Sequence, residues 1–258
     1  MSSTSAQNEF DVVIPVGPSD IQYIWTTLPR NKTNIVGYRN IYIVTKNPEG
    51  LADDQKEQAS AHGVVMIDEA IFPFQFQDVA TIHGGENWRT GWYLQQLLKL
   101  YAGFVIPDIL PRYLVVDADT IFLKPTRFVS ADGKCLVNVG SEYHVPYFHH
   151  MKRMHPTFEK QVRYSGISHH MMFERDYVAD MMRLVEEHHN GKVFWQVFLE
   201  QVTEITGSGA SEYEMYFNFM IQHHGPDFRI RGLRWRNAPH IIEDQGFDYV
   251  SVHWYNRK

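Results

Sequence analysis

Cys135 is the chain's single cysteine, so no internal disulfide can staple the fold. Set in the apolar run Cys135-Leu-Val-Asn-Val139, it reads as a buried strand residue. Long apolar runs are missing too. None reaches the roughly 18 residues of a membrane-spanning helix, and Met1 to Glu9 is polar, without the apolar core of a secretory signal. Both absences predict a soluble, cytoplasmic protein with a flexible tail over residues 1–9. No internal repeat, heptad run or low-complexity linker divides the sequence, so residues 1–258 read as one domain. Positive charge is not in excess. A net charge of -6 and a pI of about 6.1 give no footing for nonspecific nucleic-acid binding. The chain also lacks a glycine-rich dinucleotide fingerprint and a P-loop ending in Gly-Lys-Ser/Thr.

What is present is globular. Hydrophobic residues make up 44% and charged residues 21%, and 258 residues can bury a substantial core. Strand and helix patterns alternate through the first half. Asp11-Val-Val-Ile-Pro-Val-Gly17 reads as a strand and its exit turn, where Pro15 and Gly17 expose backbone. Ser19-Asp-Ile-Gln22 has capping-box spacing and predicts a helix from Asp20 to about Leu28. Ile41–Thr45 and Val64–Ile67 read as strands, with a polar helix over Asp53–Ala61 between them. Phe72 to Gly85 reads as an irregular connection. Trp88 to Ala102 is the clearest helix, with Leu94, Leu97, Leu98 and Tyr101 at helical spacing. This alternation predicts an α/β fold with a mainly parallel sheet.

The centre of the chain is Tyr113-Leu-Val-Val-Asp-Ala-Asp-Thr-Ile-Phe-Leu-Lys-Pro125. A short apolar, β-branched run ends in Asp117-Ala118-Asp119, and a second short strand resumes at Thr120. Ligands in open α/β sheets bind beyond the carboxyl ends of strands. Two carboxylates two residues apart at such an end suit a hard divalent cation such as Mn²⁺ or Mg²⁺, which often bridges to phosphates. Further on, Tyr143 to His155 holds four histidines without closed zinc spacing and reads as a ligand-facing loop. Ser168, His169 and His170 enter the next strand and read as candidate polar contacts to a ligand. Helices follow over Arg175–His189 and Phe194–Val202. Ser211-Glu-Tyr-Glu214 opens a late helix, and its spacing lets Glu214 bond back to the Ser211 amide, leaving Glu212 to point outward. The last strand is Tyr249–Val252, followed by His253.

The strand, Asp-x-Asp, strand, Lys-Pro pattern resembles the DXD segment of GT-A nucleotide-sugar-dependent glycosyltransferases. Val116-Asp-Ala-Asp-Thr120 is especially similar to the glycogenin-like enzymes. Small GT-A domains of this kind, including ones encoded by large DNA viruses, work without a membrane anchor. The resemblance implies a Rossmann-like, three-layer GT-A fold with a mixed, mainly parallel sheet. It implies Mn²⁺ or Mg²⁺ held by Asp117, Asp119 and His253, the imidazole favouring manganese. Pro15, Val16 and Gly17 would then cradle a nucleotide, and Arg89, Trp92, Gln95, Lys99, Asp117 and Ala118 would meet the donor. A carboxylate at the start of the late helix, Glu212 ahead of Glu214, would deprotonate the acceptor in an inverting transfer. The Ser-Glu-Tyr-Glu motif departs from the Glu-Asp pair common in inverting members, so a retaining transfer stays open. The implied partners are a UDP-sugar or related donor and a glycan or glycoprotein acceptor. A sugar nucleotidyltransferase would carry a Gly-rich basic loop after the first strand, which Val16-Gly-Pro-Ser19 does not supply. A non-catalytic carbohydrate-binding protein would need neither Asp-x-Asp nor a terminal His.

Overall fold

The computed structural model describes residues 9–242 and 246–253. Of the tail expected over residues 1–9, all but Glu9 lies outside them. In chain order the elements are β1 (Phe10–Pro15), α1 (Ile21–Asn34), β2 (Ile35–Val36), β3 (Tyr38–Thr45), α2 (Asp53–His62) and β4 (Val65–Asp68). There follow α3 (Phe76–Ile82), α4 (Thr90–Val105), β5 (Arg112–Val116), β6 (Thr120–Phe122), β7 (Thr126–Arg127) and β8 (Cys135–Asn138). The second half holds α5 (Val145–Met154), β9 (His170–Glu174), α6 (Arg175–His188), α7 (Phe194–Glu200) and α8 (Glu212–His224). It closes with β10 (Phe228–Arg231), β11 (Trp235–Asn237) and β12 (Tyr249–Ser251).

The main sheet runs β4-β3-β1-β5-β9, with β9 antiparallel to β5 and the other pairs parallel. Helices cover both faces, so the chain has the three-layer α/β architecture and the mixed, mainly parallel sheet expected of it. Central β1 is buried at every residue, as a strand covered on both faces must be. From β1 the chain steps outward through β3 and β4, then returns to place β5 on β1's other side. That reversal is a topological switch point, and the crevice outside the carboxyl ends of β1 and β5 is where such sheets bind ligands. Among the described residues no helix is long and apolar enough to cross a membrane.

Four expectations need correction. α1 begins at Ile21 without a side-chain cap bond and continues through Pro29 to Asn34. It outlasts its proline because its far turns have partners. The Asn31 amide donates to Thr120 O at 2.8 Å and accepts from Phe122 N at 2.9 Å, and Asn34 Nδ2 donates to Phe122 O at 2.7 Å. These side chains serve β6 as a neighbouring strand would. Second, Phe72–Gly85 contains a helix, α3, whose start is bonded reciprocally through Asp78 and the Gln75 amide. Third, Tyr143–His155 is largely the helix α5. Tyr147, His150, Met151 and Met154 bury one face at helical spacing, and His150 behaves there as an apolar residue: burial lowers its imidazole to about 4. Fourth, Glu212 does not point out to solvent. It is buried.

Candidate active site

A cavity of about 460 Å³ opens at the switch point. Asp117, Ala118 and Asp119 form its floor, in the turn between β5 and β6. The turn closes through Thr120 N to Asp117 O at 2.9 Å, and Thr27 Oγ1 of α1 donates to Ala118 O at 3.2 Å. Lys99 and Gln95 of α4, Glu212 and Tyr213 of α8, His169 before β9, Trp235 and Asn237 of β11, and His253 after β12 build the walls.

Lys99 sits at the centre of the charge. Its ammonium lies 2.6 Å from Asp117 Oδ1 and 2.7 Å from Glu212 Oε1, over the Tyr213 ring at 4.3 Å. Tyr213 also donates its hydroxyl to Asp117 Oδ1 at 2.9 Å. Burial opposes the charge on Lys99, but the two carboxylates outweigh it and hold the amine protonated. One ammonium cannot fully neutralise two carboxylates. Burial would also raise Asp117, yet Lys99 and His169 hold it well below the usual carboxylate range. Glu212 has the more deeply buried side chain, 4% exposed against 20% for Asp117. It carries the desolvation cost, so burial raises its carboxyl despite Lys99.

Asp119 is held differently. Ser251 Oγ donates to its Oδ1 at 2.9 Å, and His253 Nδ1 lies 3.0 Å from its Oδ2. Burial pushes its carboxyl up, but the hydrogen bond to His253 wins and lowers it. The His169 ring lies 5.1 Å from that of His253, and its Nδ1 is 3.4 Å from Asp117 Oδ2. His169 adopts a left-handed φ of 60°, a conformation that costs a non-glycine residue roughly 1 kcal/mol or more and is common where a site holds a side chain in place.

Among the described residues, no group of three or more His, Cys, Asp or Glu side chains is arranged as a metal site. The donors nevertheless fit a divalent cation in kind. A carboxylate and an imidazole meet on the cavity wall at Asp119 and His253, and this mixed set suits manganese better than magnesium. Asp117 has its Oδ1 engaged by Lys99 and Tyr213.

The other expected contacts separate into two groups. Arg89, Trp92, Gln95, Lys99 and Ala118 line the cavity. The Arg89 guanidinium lies over the rings of Trp88 and Trp92, at 4.1 and 4.8 Å, and donates to Ser208 Oγ at 3.1 Å; its Nε has no hydrogen-bond partner. Pro15, Val16 and Gly17 are not among the cavity's lining residues; Gln95 Nε2 lies 3.4 Å from Pro15 O. Ser168 and His170 are buried away from it. Ser168 Oγ donates to His170 O, and the His170 ring packs among Phe122, Phe128 and Tyr249 with neither nitrogen hydrogen-bonded.

At the start of α8, Ser211 Oγ accepts from Glu214 N at 3.2 Å, as its spacing predicts. Glu214 does not return the bond. Its carboxylate accepts from Lys160, Ser165 Oγ, Gly166 N and Asn218, and it is absent from the cavity wall. A side chain at Gly166 would meet Phe217 Cβ at 2.4 Å, so only glycine allows this close approach. Tyr213, Glu142 and Trp235 line the cavity without having been singled out in the sequence. Tyr213, inside Ser-Glu-Tyr-Glu, was within reach of pattern reading; Glu142 and Trp235 belong to stretches with no readable period.

Fold and site together define an α/β protein with an acidic, histidine-flanked cavity at its sheet's switch point. A family of unknown function, DUF6492, matches residues 39–228. The chain belongs to that family. No curated protein matches the chain. Among solved structures, it is similar to mouse xyloside xylosyltransferase 1 in its apo form, at 10% identity and a TM-score of 0.48, over 97% of this chain and 99% of that one.

Proposed function

We propose that the chain is a glycosyltransferase, moving a sugar from a nucleotide-diphosphate sugar, UDP-linked in the first instance, to a hydroxyl of a glycan or glycoprotein. The observation that carries this reading is the position of Asp117-Ala118-Asp119. The acidic turn lies at the carboxyl end of β5, at the switch point, and floors the cavity that His253 and Arg89 also line. Its sequence context resembles GT-A enzymes, and its place in the sheet is where α/β proteins hold nucleotides.

Asp119 and His253 would hold the cation, with Asp117 beside them. When bound, it supplies positive charge against the departing diphosphate. The chain's own residues do the rest. Arg89, stacked on the indoles of Trp88 and Trp92 and lining the cavity, offers its guanidinium to the donor's anion. Lys99 acts by holding Asp117 and Glu212 in register. Trp235, backed by a parallel stack on Tyr249 at 5.6 Å, offers an aromatic surface to a sugar ring.

The test is calorimetric titration with UDP, GDP and ADP, with and without Mn²⁺, followed by release of nucleoside diphosphate from the matching sugar donors. Metal-dependent binding of one nucleotide and turnover of its sugar are expected. A folded protein that binds none of the three in Mn²⁺ refutes the reading.

A further inference from the structure

Sugar transfer of the inverting kind needs a group to accept the acceptor's proton, and the cavity's acidic residues differ in their availability for it. Asp117 is committed to Lys99 and Tyr213, and Asp119 to Ser251 and His253. Asp20 stands at the amino end of α1 and has interaction partners of its own. Glu212 lies 2.7 Å from the Lys99 ammonium. Protonating it would give up that ion pair and leave Lys99 to Asp117 alone.

Glu142 differs from all of these. It lines the same cavity, and its carboxylate makes no hydrogen bond or ion pair with the described residues. Its loop is anchored all the same. Two residues earlier, Gly140 exchanges backbone hydrogen bonds with Ser165, at 2.8 and 3.0 Å. Two residues later, His144 Nε2 meets Ser208 O at 2.8 Å. The carboxylate therefore hangs from a short segment pinned at both ends, open to solvent and facing the cavity.

Resting on the transferase reading above, we propose that Glu142 is the catalytic base that takes the acceptor's proton, and that Glu212 is a positioning residue for Lys99 and Asp117. In this step the acceptor hydroxyl gives its proton to the Glu142 carboxylate. Its oxygen forms the new bond to the anomeric carbon. The bond from that carbon to the diphosphate oxygen breaks, and the leaving nucleoside diphosphate keeps the electron pair.

The charges that act on Glu142 are His144 on its own segment, His169 ahead of β9 and Glu214 on α8. Partial burial in the concave wall raises its carboxyl, with the two histidines opposing and Glu214 adding. A base of raised basicity is more effective near neutral pH. Burial raises Glu212 as well, so basicity does not separate the two. The contact with Lys99 does.

The experiment compares wild type, Glu142→Gln and Glu212→Gln in Mn²⁺, measuring UDP affinity by calorimetry, transfer rate against pH, and the anomeric configuration of the product. Glu142→Gln is expected to bind UDP like wild type, to lose about 10²–10⁴-fold in transfer, and to lose the acid limb of the pH profile. Glu212→Gln is expected to keep the acid limb whatever its rate. Wild-type transfer rates in Glu142→Gln, an acid limb lost only in Glu212→Gln, or a product of retained configuration would each overturn the assignment while leaving the transferase intact. A wild-type protein without nucleotide binding or turnover would overturn both.

Discussion

Ser165 Oγ lies 2.6 Å from Glu214 Oε2, and the hydroxyl is one of four donors around that buried carboxylate. Glu214 therefore joins α8 to the segment leading into β9, and Glu212 and His169 stand on the two sides of that joint. A carboxylate so placed is structural. Glu214→Gln keeps the shape but turns one acceptor oxygen into a donor facing donors. Unfolding in urea should show a loss of about 2–4 kcal/mol. A loss under 1 kcal/mol would return Glu214 to a minor capping role.

Lys99→Met should be more damaging than its size suggests. It leaves Asp117 and Glu212 buried without their counter-charge, at a cost of about 3–5 kcal/mol. Adding Glu212→Gln to it should recover part of that loss, because one unpaired carboxylate is then gone. Chemical denaturation of both single variants and the double variant measures this. Strict additivity would mean that Lys99 and Glu212 do not act as a unit.

Asp119→Asn keeps an acceptor for Ser251 and removes a charge from the cation pair. The fold should survive, while turnover falls roughly a thousandfold or more. His253→Ala should weaken Mn²⁺ and UDP together, as read by the electron paramagnetic resonance of free Mn²⁺ and by calorimetry. Unchanged Mn²⁺ affinity in His253→Ala would confine the imidazole to a structural role.

Three buried histidines set the response to acid. Burial lowers His83, lowers His150 to about 4 and lowers His170 to about 3. His150 and His170 are therefore neutral in the folded protein at pH 6, and in the unfolded chain histidines protonate near pH 6.5. The unfolded state then binds more protons, so stability falls as pH drops. For His170 the fall runs from about 6.5 toward its folded value, at up to about 1.4 kcal/mol per pH unit. His170→Leu should flatten the pH dependence of unfolding over that window, even where it lowers stability at pH 8. An unchanged slope would mean that His170 protonates inside the fold.

Much of the fold was legible because its signals are local. Val116-Asp-Ala-Asp-Thr120 sits between two strands within a dozen residues, and Asn190-Gly191 ends α6 with two left-handed residues, at φ 58° and 81°. The gathering of the site was less so. Lys99 and Glu212 are 113 residues apart, and Asp119 and His253 are 134 apart. Nothing in local pattern says that an ammonium at one position cancels a carboxylate at the other. A motif could suggest that Lys99 meets a ligand, but the structure commits it to protein first. α5 escaped for another reason: its buried face includes His150, which hydropathy scores as polar and which here is a neutral imidazole bonded to Phe198 O at 2.9 Å.

The segment matched by the family begins at residue 39 and ends at 228, and β1 lies before it. Cutting the protein to that segment would remove the middle strand of the sheet, leaving β3 and β5 each with a bare edge where β1 had paired. It would also strip β6 of its Asn31 partner and the floor of its Thr27 tether, and discard His253. The matched stretch of this chain is thus smaller than the unit its sheet and site need, and expression boundaries for this chain belong ahead of β1 and beyond β12.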